Sequence, residues 1–79
     1  MLNRDAPLPL SRQLAALIRD DITSGKRPAG SRLPSIGKLA EEHEIATATV
    51  VKALRILKDE GLIEGISGHG TFVADDHGR

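Results

Sequence analysis

Hydrophobic positions in the first third of the chain repeat with the period of an α-helix. Five aliphatic residues fall on one helical face, at i, i+4, i+7, i+8 and i+12: Leu10, Leu14, Leu17, Ile18 and Ile22. The pattern predicts a first helix over residues 10–24. Ser11 or the residues just before it could cap the start of this helix, and Gly25 ends it.

Two shorter helices are predicted next, joined by a turn of three residues. Pro34 keeps the residue before it extended, and Ser35 is a favourable N-cap for a second helix over residues 35–43. The third helix is predicted over residues 47–60, and Gly61 ends it. Four apolar residues share one face of the third helix: Val50, Ala53, Leu54 and Leu57.

After Gly61 the helical period stops and a β-hairpin is predicted. Strand-forming residues at 62–63 and 71–73 lie on either side of a glycine-rich stretch. The fold class is therefore mainly α with a small β-hairpin. The order of elements predicts a winged helix-turn-helix, with three helices and a wing of two or three strands. The alternative is a three-helix domain with an incidental hairpin.

Length and composition limit the chain to one small domain. It has 79 residues, of which 39% are hydrophobic, enough for a folded core but a modest one. We expect a flexible N-terminal arm over residues 1–8, the folded domain over 9–74 and a frayed tail over 75–79. Phe72 is the only aromatic residue, so stacking of bases on aromatic rings is not an available binding mode.

Several functional classes are disfavoured by what the sequence lacks. There is no cysteine, which excludes disulfides and thiolate metal sites. No leader or long apolar run is present, so we expect a cytoplasmic protein without a membrane segment. The three histidines, His43, His69 and His77, lack the spacing of metal ligands. No arrangement of catalytic side chains is found either, so we expect neither a metal, a cofactor nor an enzyme.

Charge is unevenly distributed, although the net charge of the whole chain is zero. Residues 24–58 contain seven basic and three acidic residues, a net charge of +4, and the two flanks together carry −4. A local basic face matters more for binding a polyanion than the sum over the chain. The middle of the chain is thus the part suited to a nucleic acid.

Four segments in order resemble the winged-helix DNA-binding domain of the GntR family of bacterial transcription regulators. They are "SGKRPAGSRLPS", "LAEEHEI", "ALRILKDEGLI" and "GHGTFV". The resemblance runs from Pro9 to Val73, about four fifths of the chain. Each segment alone is weak, but their combination in this order is specific.

The resemblance implies a regulator, in particular a repressor, that binds double-stranded DNA in a sequence-specific way. It implies that the third helix enters the major groove and the wing the minor groove. It also implies a homodimer on a two-fold-related operator and a C-terminal effector-binding domain. This chain contains no such domain, so it is either a shortened form or a stand-alone regulator.

Departures from the family pattern lie where relatives commonly carry arginine. Those three positions are Gly37, Thr47 and Val51 here. The serine that usually precedes the third helix is Ala46, so Thr47 is expected to take over the capping role. These missing arginines and the neutral net charge motivate an alternative function, a protein-interaction module with little or no DNA binding.

The third helix supplies the candidate major-groove residues. With its apolar face turned to the core, the outward residues are Thr47, Ala48, Val51, Lys52 and Arg55. The hydroxyls of Thr47 and Thr49 could contact bases or phosphates, or serve only as caps. Ala48 and Val51 could contact thymine methyl groups. Lys52 and Arg55 could pair with phosphates or remain inert surface cations.

The start of the second helix is a candidate phosphate site. Ser35 caps it, and the free N–H groups of a first helical turn attract anions. Arg32 resembles the family's basic residue beside the "LPS" motif and would add a phosphate contact. Lys38 is a weaker candidate at the same place.

The glycine-rich stretch Ser67–Gly70 is a candidate wing tip. A nucleotide-phosphate loop would precede a helix and contain a lysine, whereas here a strand follows and no lysine is present. Gly68 and Gly70 permit a tight turn and let the backbone approach a minor groove, into which His69 could insert. The alternative is a plain hairpin turn with an exposed histidine.

Overall fold

The computed structural model of the protein describes residues 2–74 and contains three helices followed by a hairpin. The helices are α1 (Leu10–Thr23), α2 (Ile36–His43) and α3 (Thr47–Asp59). The strands are β1 (Ile63–Ile66) and β2 (Gly70–Val73). The predicted fold class, a winged helix-turn-helix, is confirmed.

Helix α1 has the apolar face expected from its period, and of the predicted caps it uses a residue just before Ser11 rather than Ser11 itself. Its N-cap is Pro9, which has no side-chain cap, and Ser11 lies inside the helix. The carbonyl of Pro9 accepts the N–H groups of Arg12 and Gln13, each at 3.0 Å. Proline therefore starts the helix without a hydroxyl. Gly25 ends it with a φ of 89°, which glycine adopts readily.

The core is aliphatic and is built from all five elements. Its buried side chains include the inward face of every helix and one residue from each strand: Leu14, Ile18, Ile22, Leu39, Val50, Leu54, Leu57, Ile63 and Val73. Helix α1 packs mainly on α3, and α2 packs on α3 from another side. Helix α3 is thus the central element, and the outer face of its first turns is left exposed.

An ion pair joins α1 to the end of α3. Arg19 donates two hydrogen bonds to Glu60, Nε to Oε1 at 2.8 Å and Nη2 to Oε2 at 2.6 Å. These hydrogen bonds are the main reason why the pKa of Glu60 is lowered. Both side chains are more than a third exposed, at 36% and 38%, so solvent screening keeps the contribution of the pair to stability small.

The hairpin has one face toward the core and one toward solvent. Its antiparallel register pairs Ile63 with Val73 and Ile66 with Gly70. Ile63 and Val73 are buried, as expected for one face of a two-residue alternation. An isolated bridge between Arg32 and Phe72 adds a third, very short strand on the other side of β2. A wing of two or three strands was expected, and the structure has two strands plus this single bridge.

Residues 2–8 lie against the ends of α1 and α2. Gln13 Nε2 donates to the carbonyl groups of Asn3 and Leu8, at 2.8 and 2.7 Å, and Leu2 packs against the core. The Arg4 guanidinium donates to the carbonyl of Glu44. Flexibility of the arm over residues 1–8 stays a prediction. The predicted tail, 75–79, lies outside the described residues. Within residues 2–74, no helix is long and apolar enough to cross a membrane.

The turn between α2 and α3 is built on a left-handed residue. Glu44 has φ 54° and ψ 48° and is the C-cap of α2. The N–H of the next residue, Ile45, donates to the carbonyl of Ala40 at 3.0 Å, which is the 6→1 bond of a Schellman motif. A side chain in this conformation is strained, because Cβ crowds the backbone.

Replacing Glu44 by glycine is expected to stabilise the protein. The substitution relieves roughly 1–2 kcal/mol of left-handed strain and costs about 0.5–1 kcal/mol of additional unfolded-state entropy. The free energy of unfolding should rise by about 0.5–1 kcal/mol on these values, measured by urea denaturation followed by circular dichroism. Glu41→Gly, inside α2, is the matched control and should destabilise instead. Equal destabilisation by both would contradict the strain at residue 44.

Candidate nucleic-acid interface

The outer face of α3 has the composition predicted for it. Five residues on its first three turns are exposed: Thr47, Ala48, Val51, Lys52 and Arg55. Two of the residues between them, Val50 and Ala53, are fully buried. Thr49 is half-buried and lies at the border of the two faces. Val51 is 45% exposed, although a β-branched residue gains nothing from an exposed helical position.

The start of α3 is capped differently from the sequence prediction. Ala46 is the N-cap, with extended backbone and no side-chain cap, and Thr47 is already the first helical residue. The expected capping role of Thr47 is therefore wrong. The carbonyl of Ala46 accepts the N–H groups of Thr49 and Val50, at 3.0 and 3.3 Å. The hydroxyls of Thr47 and Thr49 make no hydrogen bond within residues 2–74, so both are available to a ligand.

The start of α2 is capped as predicted. Ser35 has extended backbone, and its Oγ accepts the N–H of Lys38 at 3.1 Å. Ser35 and Lys38 are exposed. A shallow hollow of about 230 Å³ lies beside this helix start and reaches the wing, with Arg32, Ser35, Leu54, Gly70 and Thr71 among its lining residues. The structure thus brings together two of the three predicted phosphate-site residues, Arg32 and Ser35.

The wing tip is a glycine-dependent turn. The N–H of His69 donates to the carbonyl of Ile66 at 2.9 Å. Gly68, the third residue of this β-turn, has a φ of 80°, the conformation for which type II turns require glycine. Ser67, Gly68, His69 and Gly70 are all exposed. In the described part of the chain, no hydrogen bond or ion pair joins these four residues to α3, so the wing tip is a separate projection.

The cations of the predicted interface are not neutralised by neighbouring carboxylates. Within residues 2–74, ion pairs involve Arg19 with Glu60 and Arg27 with Asp21. Four predicted site residues make none and are exposed: Arg32, Lys38, Lys52 and Arg55. An unpaired cation can contact a phosphate without first breaking an ion pair. The predicted interface therefore offers four positive charges that are not in ion pairs.

Two further cations lie near these elements and were not singled out from the sequence. The Lys58 side chain lies against the backbone of Gly65 in β1, its Nζ 3.5 Å from the position a Cβ would take. Arg4 lies at the turn before α3 through its bond to the Glu44 carbonyl. Lys58 belonged to the basic segment, which was a usable signal. Nothing in the sequence connects Arg4 with a carbonyl forty residues away.

Comparison with known protein families shows which family the chain belongs to. The family model described as bacterial regulatory proteins of the gntR family matches residues 10–73, which includes every helix and both strands. The chain belongs to the GntR family. Its winged helix-turn-helix is the DNA-binding domain of that family, and the relatives of this GntR domain are transcription regulators rather than enzymes.

Curated relatives of the GntR domain include several repressors. The histidine utilization repressor of Klebsiella aerogenes is 37% identical over 76 residues, which are 96% of this chain and 32% of that protein. The transcriptional repressor NagR of Bacillus subtilis is 34% identical over 73 residues, 92% of this chain and 30% of NagR. The chain spans between 14% and 32% of the lengths of four curated relatives, which are regulators or repressors.

Solved structures include close matches to the whole domain. YtrA from Sulfolobus acidocaldarius, a GntR-family transcription factor, superposes with a TM-score of 0.90 at 30% identity, covering 96% of this chain and 80% of that one. The DNA-binding domain of AraR in complex with operator ORX1 gives a TM-score of 0.85 at 28% identity, covering 94% and 95%. The AraR domain is thus a relative of the same size whose structure includes operator DNA.

Proposed function

We propose that this GntR domain binds a specific DNA duplex with α3 in the major groove and the wing in the minor groove, as part of a transcriptional repressor. The observation that carries the proposal is the outer face of α3, where exposed hydroxyl, methyl and cationic groups lie together. An α-helix fits the major groove, and side chains near its N-terminus reach base edges.

Phosphate contacts position the domain in this arrangement. Lys52 and Arg55 lie on α3 one turn after the base-contacting residues and would reach the phosphates along the groove. Arg32, Ser35 and Lys38 would contact a phosphate at the start of α2, where free N–H groups and the helix dipole favour an anion. Contacts of this kind fix orientation and carry no sequence information directly.

Base contacts come from short side chains, since the arginines common in the family are absent from α3. Thr47 and Thr49 have free hydroxyls that can donate to or accept from base edges. Ala48 and Val51 present methyl groups, which match the C5 methyl of thymine. A half-site rich in thymine at the α3 contact is therefore proposed, in place of the guanines that arginine recognises.

The wing tip, Ser67–Gly70, is proposed to enter the adjacent minor groove. A narrow minor groove has an enhanced negative potential, which attracts donors and cations. His69 projects from the turn as the only exposed ring in the described tip, and its N–H groups can donate to base acceptors there. The small residues on either side of it leave space for the sugar–phosphate walls.

The proposed assembly is a homodimer on a two-fold-related operator in the cytoplasm. A palindromic operator reflects the two-fold symmetry of a dimeric helix-turn-helix protein. The relatives are about three to six times as long as this chain, so response to an effector would depend on further parts of such a protein. A monomeric domain with few phosphate contacts should bind weakly.

Selection of bound duplexes from a random pool tests the proposal. Selected duplexes should share a motif and bind more tightly than random duplexes of equal length in fluorescence anisotropy. Lys52→Ala and His69→Ala should each weaken binding to the selected duplex. Failure to enrich any motif would instead support a protein-interaction module, and no effect of either substitution on binding to a selected duplex would contradict the proposed docking.

Thymine methyl recognition gives a separate prediction for the selected duplex. Replacing a contacted thymine by uracil removes one methyl group, and burial of such a group is worth about 0.8 kcal/mol, or about a fourfold loss of affinity. Val51→Ala should abolish the difference between the thymine and uracil duplexes. Uracil outside the motif is the control and should have no effect. An equal loss with wild-type protein and with Val51→Ala would contradict the contact.

A further inference from the structure

Arg32 is held by the wing through a short ladder of backbone hydrogen bonds. Leu33 N–H donates to the carbonyl of Thr71 at 2.8 Å, and Val73 N–H donates to the carbonyl of Ser31 at 2.8 Å. These bonds lie on either side of the pair formed by Arg32 and Phe72. The segment before α2 therefore has a fixed register against β2.

The register places Arg32 and Gly70 on the same face of the sheet. Side chains alternate between faces along a strand, so residues 70 and 72 of β2 share the face of Arg32. Residue 70 is the diagonal neighbour of Arg32 across the pair, at a separation that long side chains can bridge. Ile63 and Val73 occupy the opposite, buried face. Arg32 can thus extend along the exposed face and over Gly70.

The Arg32 side chain occupies the space above Gly70. A Cβ at residue 70 would lie 2.9 Å from Arg32 Nε, 3.3 Å from Nη2 and 3.5 Å from Cζ. The first of these distances is too short for a real contact. Any side chain at residue 70 therefore requires the guanidinium to move away. Because an exposed arginine is flexible, the fold can survive this change while the position of the charge is lost.

We propose that Gly70 is a positioning residue for Arg32, holding its guanidinium in the hollow between the wing and the start of α2. This inference rests on the proposed function, in which Arg32 contacts a phosphate. It gives the glycine a role different from the one expected from the sequence, where its missing side chain admits DNA. The pairing of Arg32 with β2 then positions both the phosphate contact of Arg32 and the minor-groove contact of the wing.

A double-mutant cycle in duplex binding tests the positioning role. Gly70→Ala should weaken binding to the selected duplex about 10-fold in the wild-type background and only about 2-fold in the Arg32→Ala background, because residues that act through each other are not additive. Gly70→Ala should also reduce the slope of log affinity against log salt by about 0.9, the value for one lost phosphate contact.

Gly68→Ala is the matched control for backbone strain. Gly68 also has a positive φ, 80° against 110° for Gly70, but nothing lies within 4 Å of its Cβ position. Its substitution should therefore weaken binding by the same factor in the wild-type and Arg32→Ala backgrounds. Equal factors for Gly70→Ala as well would overturn the positioning role.

Two further outcomes separate this inference from the proposed function. If wild-type protein enriches and binds a duplex but the Gly70 cycle is additive, only the positioning role fails. If wild-type protein binds no duplex, both fail. Should Gly70→Ala not fold, NMR of the wild-type protein decides: a nuclear Overhauser effect between the Arg32 Nε–H and the Gly70 α-protons is expected, and its absence would overturn the inference.

Discussion

Raising the salt concentration from 50 to 200 mM is expected to weaken binding of the domain to its selected duplex about 150-fold, because each neutralised phosphate contributes about −0.9 to the slope of log affinity against log salt. Four unpaired, exposed cations are placed at the interface: Arg32, Lys38, Lys52 and Arg55. Four contacts give a slope of about −3.6 for one domain. Fluorescence anisotropy titrations at several salt concentrations measure this slope directly.

Single substitutions should divide the salt dependence among these cations. Lys52→Ala and Arg55→Ala are each expected to reduce the slope by about 0.9. Arg19→Ala is the matched control, since Arg19 pairs with Glu60 where α1 meets the end of α3 and should leave the slope unchanged. An affinity that stays flat between low and moderate salt would contradict the phosphate contacts as a group.

Leu57→Ala is expected to cost about 3 kcal/mol of folding free energy, within the range measured for buried leucines. Leu57 is fully buried, with 0% of its surface exposed, in the helix against which both α1 and α2 pack. A domain of this size has a total stability of about 4–12 kcal/mol. The melting temperature should therefore fall by about 12–24 °C, which thermal denaturation followed by circular dichroism can measure.

Leu8→Ala is the control that removes a leucine side chain from the surface and not from the core. Leu8 is 42% exposed, and its carbonyl, which accepts from Gln13, is kept in the variant. We expect a loss below about 1 kcal/mol, since surface substitutions away from packed regions change stability little. Similar losses for Leu8→Ala and Leu57→Ala would contradict the central position of α3 in the core.

The helices were predictable because the residues that determine their boundaries lie within or next to each helix in the sequence. The apolar period of Leu10–Ile22 and the stop at Gly25 gave residues 10–24, against Leu10–Thr23 in the structure. Pro34 and Ser35 fixed the start of α2 in the same way. The change of period after Gly61 located the hairpin. Periodicity, capping and glycine are short-range signals, and no tertiary knowledge was needed to interpret them.

The connections between elements were not predictable, because they join residues far apart in the chain. The bridge from Arg32 to Phe72 spans forty residues, and so does the bond from Arg4 to the Glu44 carbonyl. The capping role expected for Thr47 was wrong for a local reason. Ala46 has the extended backbone of the N-cap, so Thr47 is already the first helical residue and its hydroxyl does not act as a cap.

The role of Gly68 could be predicted from the sequence, whereas the surroundings of Gly70 required the structure. The sequence indicated a turn, and Gly68 confirms it with its positive φ and open surroundings. For Gly70 the sequence could suggest only close approach of a partner molecule. The structure shows that the group closest to it is the Arg32 side chain. The backbone freedom of the two glycines could be predicted from residue type. The position of Arg32 against Gly70 could not, because these residues are far apart in the sequence.

NMR titration of the ¹⁵N-labelled protein with its selected duplex tests the central claim most directly, because every backbone amide reports on its own surroundings. The largest amide shifts are expected at Thr47, Lys52 and His69, on α3 and the wing. Asp20, on the exposed side of α1, should stay unperturbed. Shifts absent from these three residues, or confined to α1, would contradict the proposed docking.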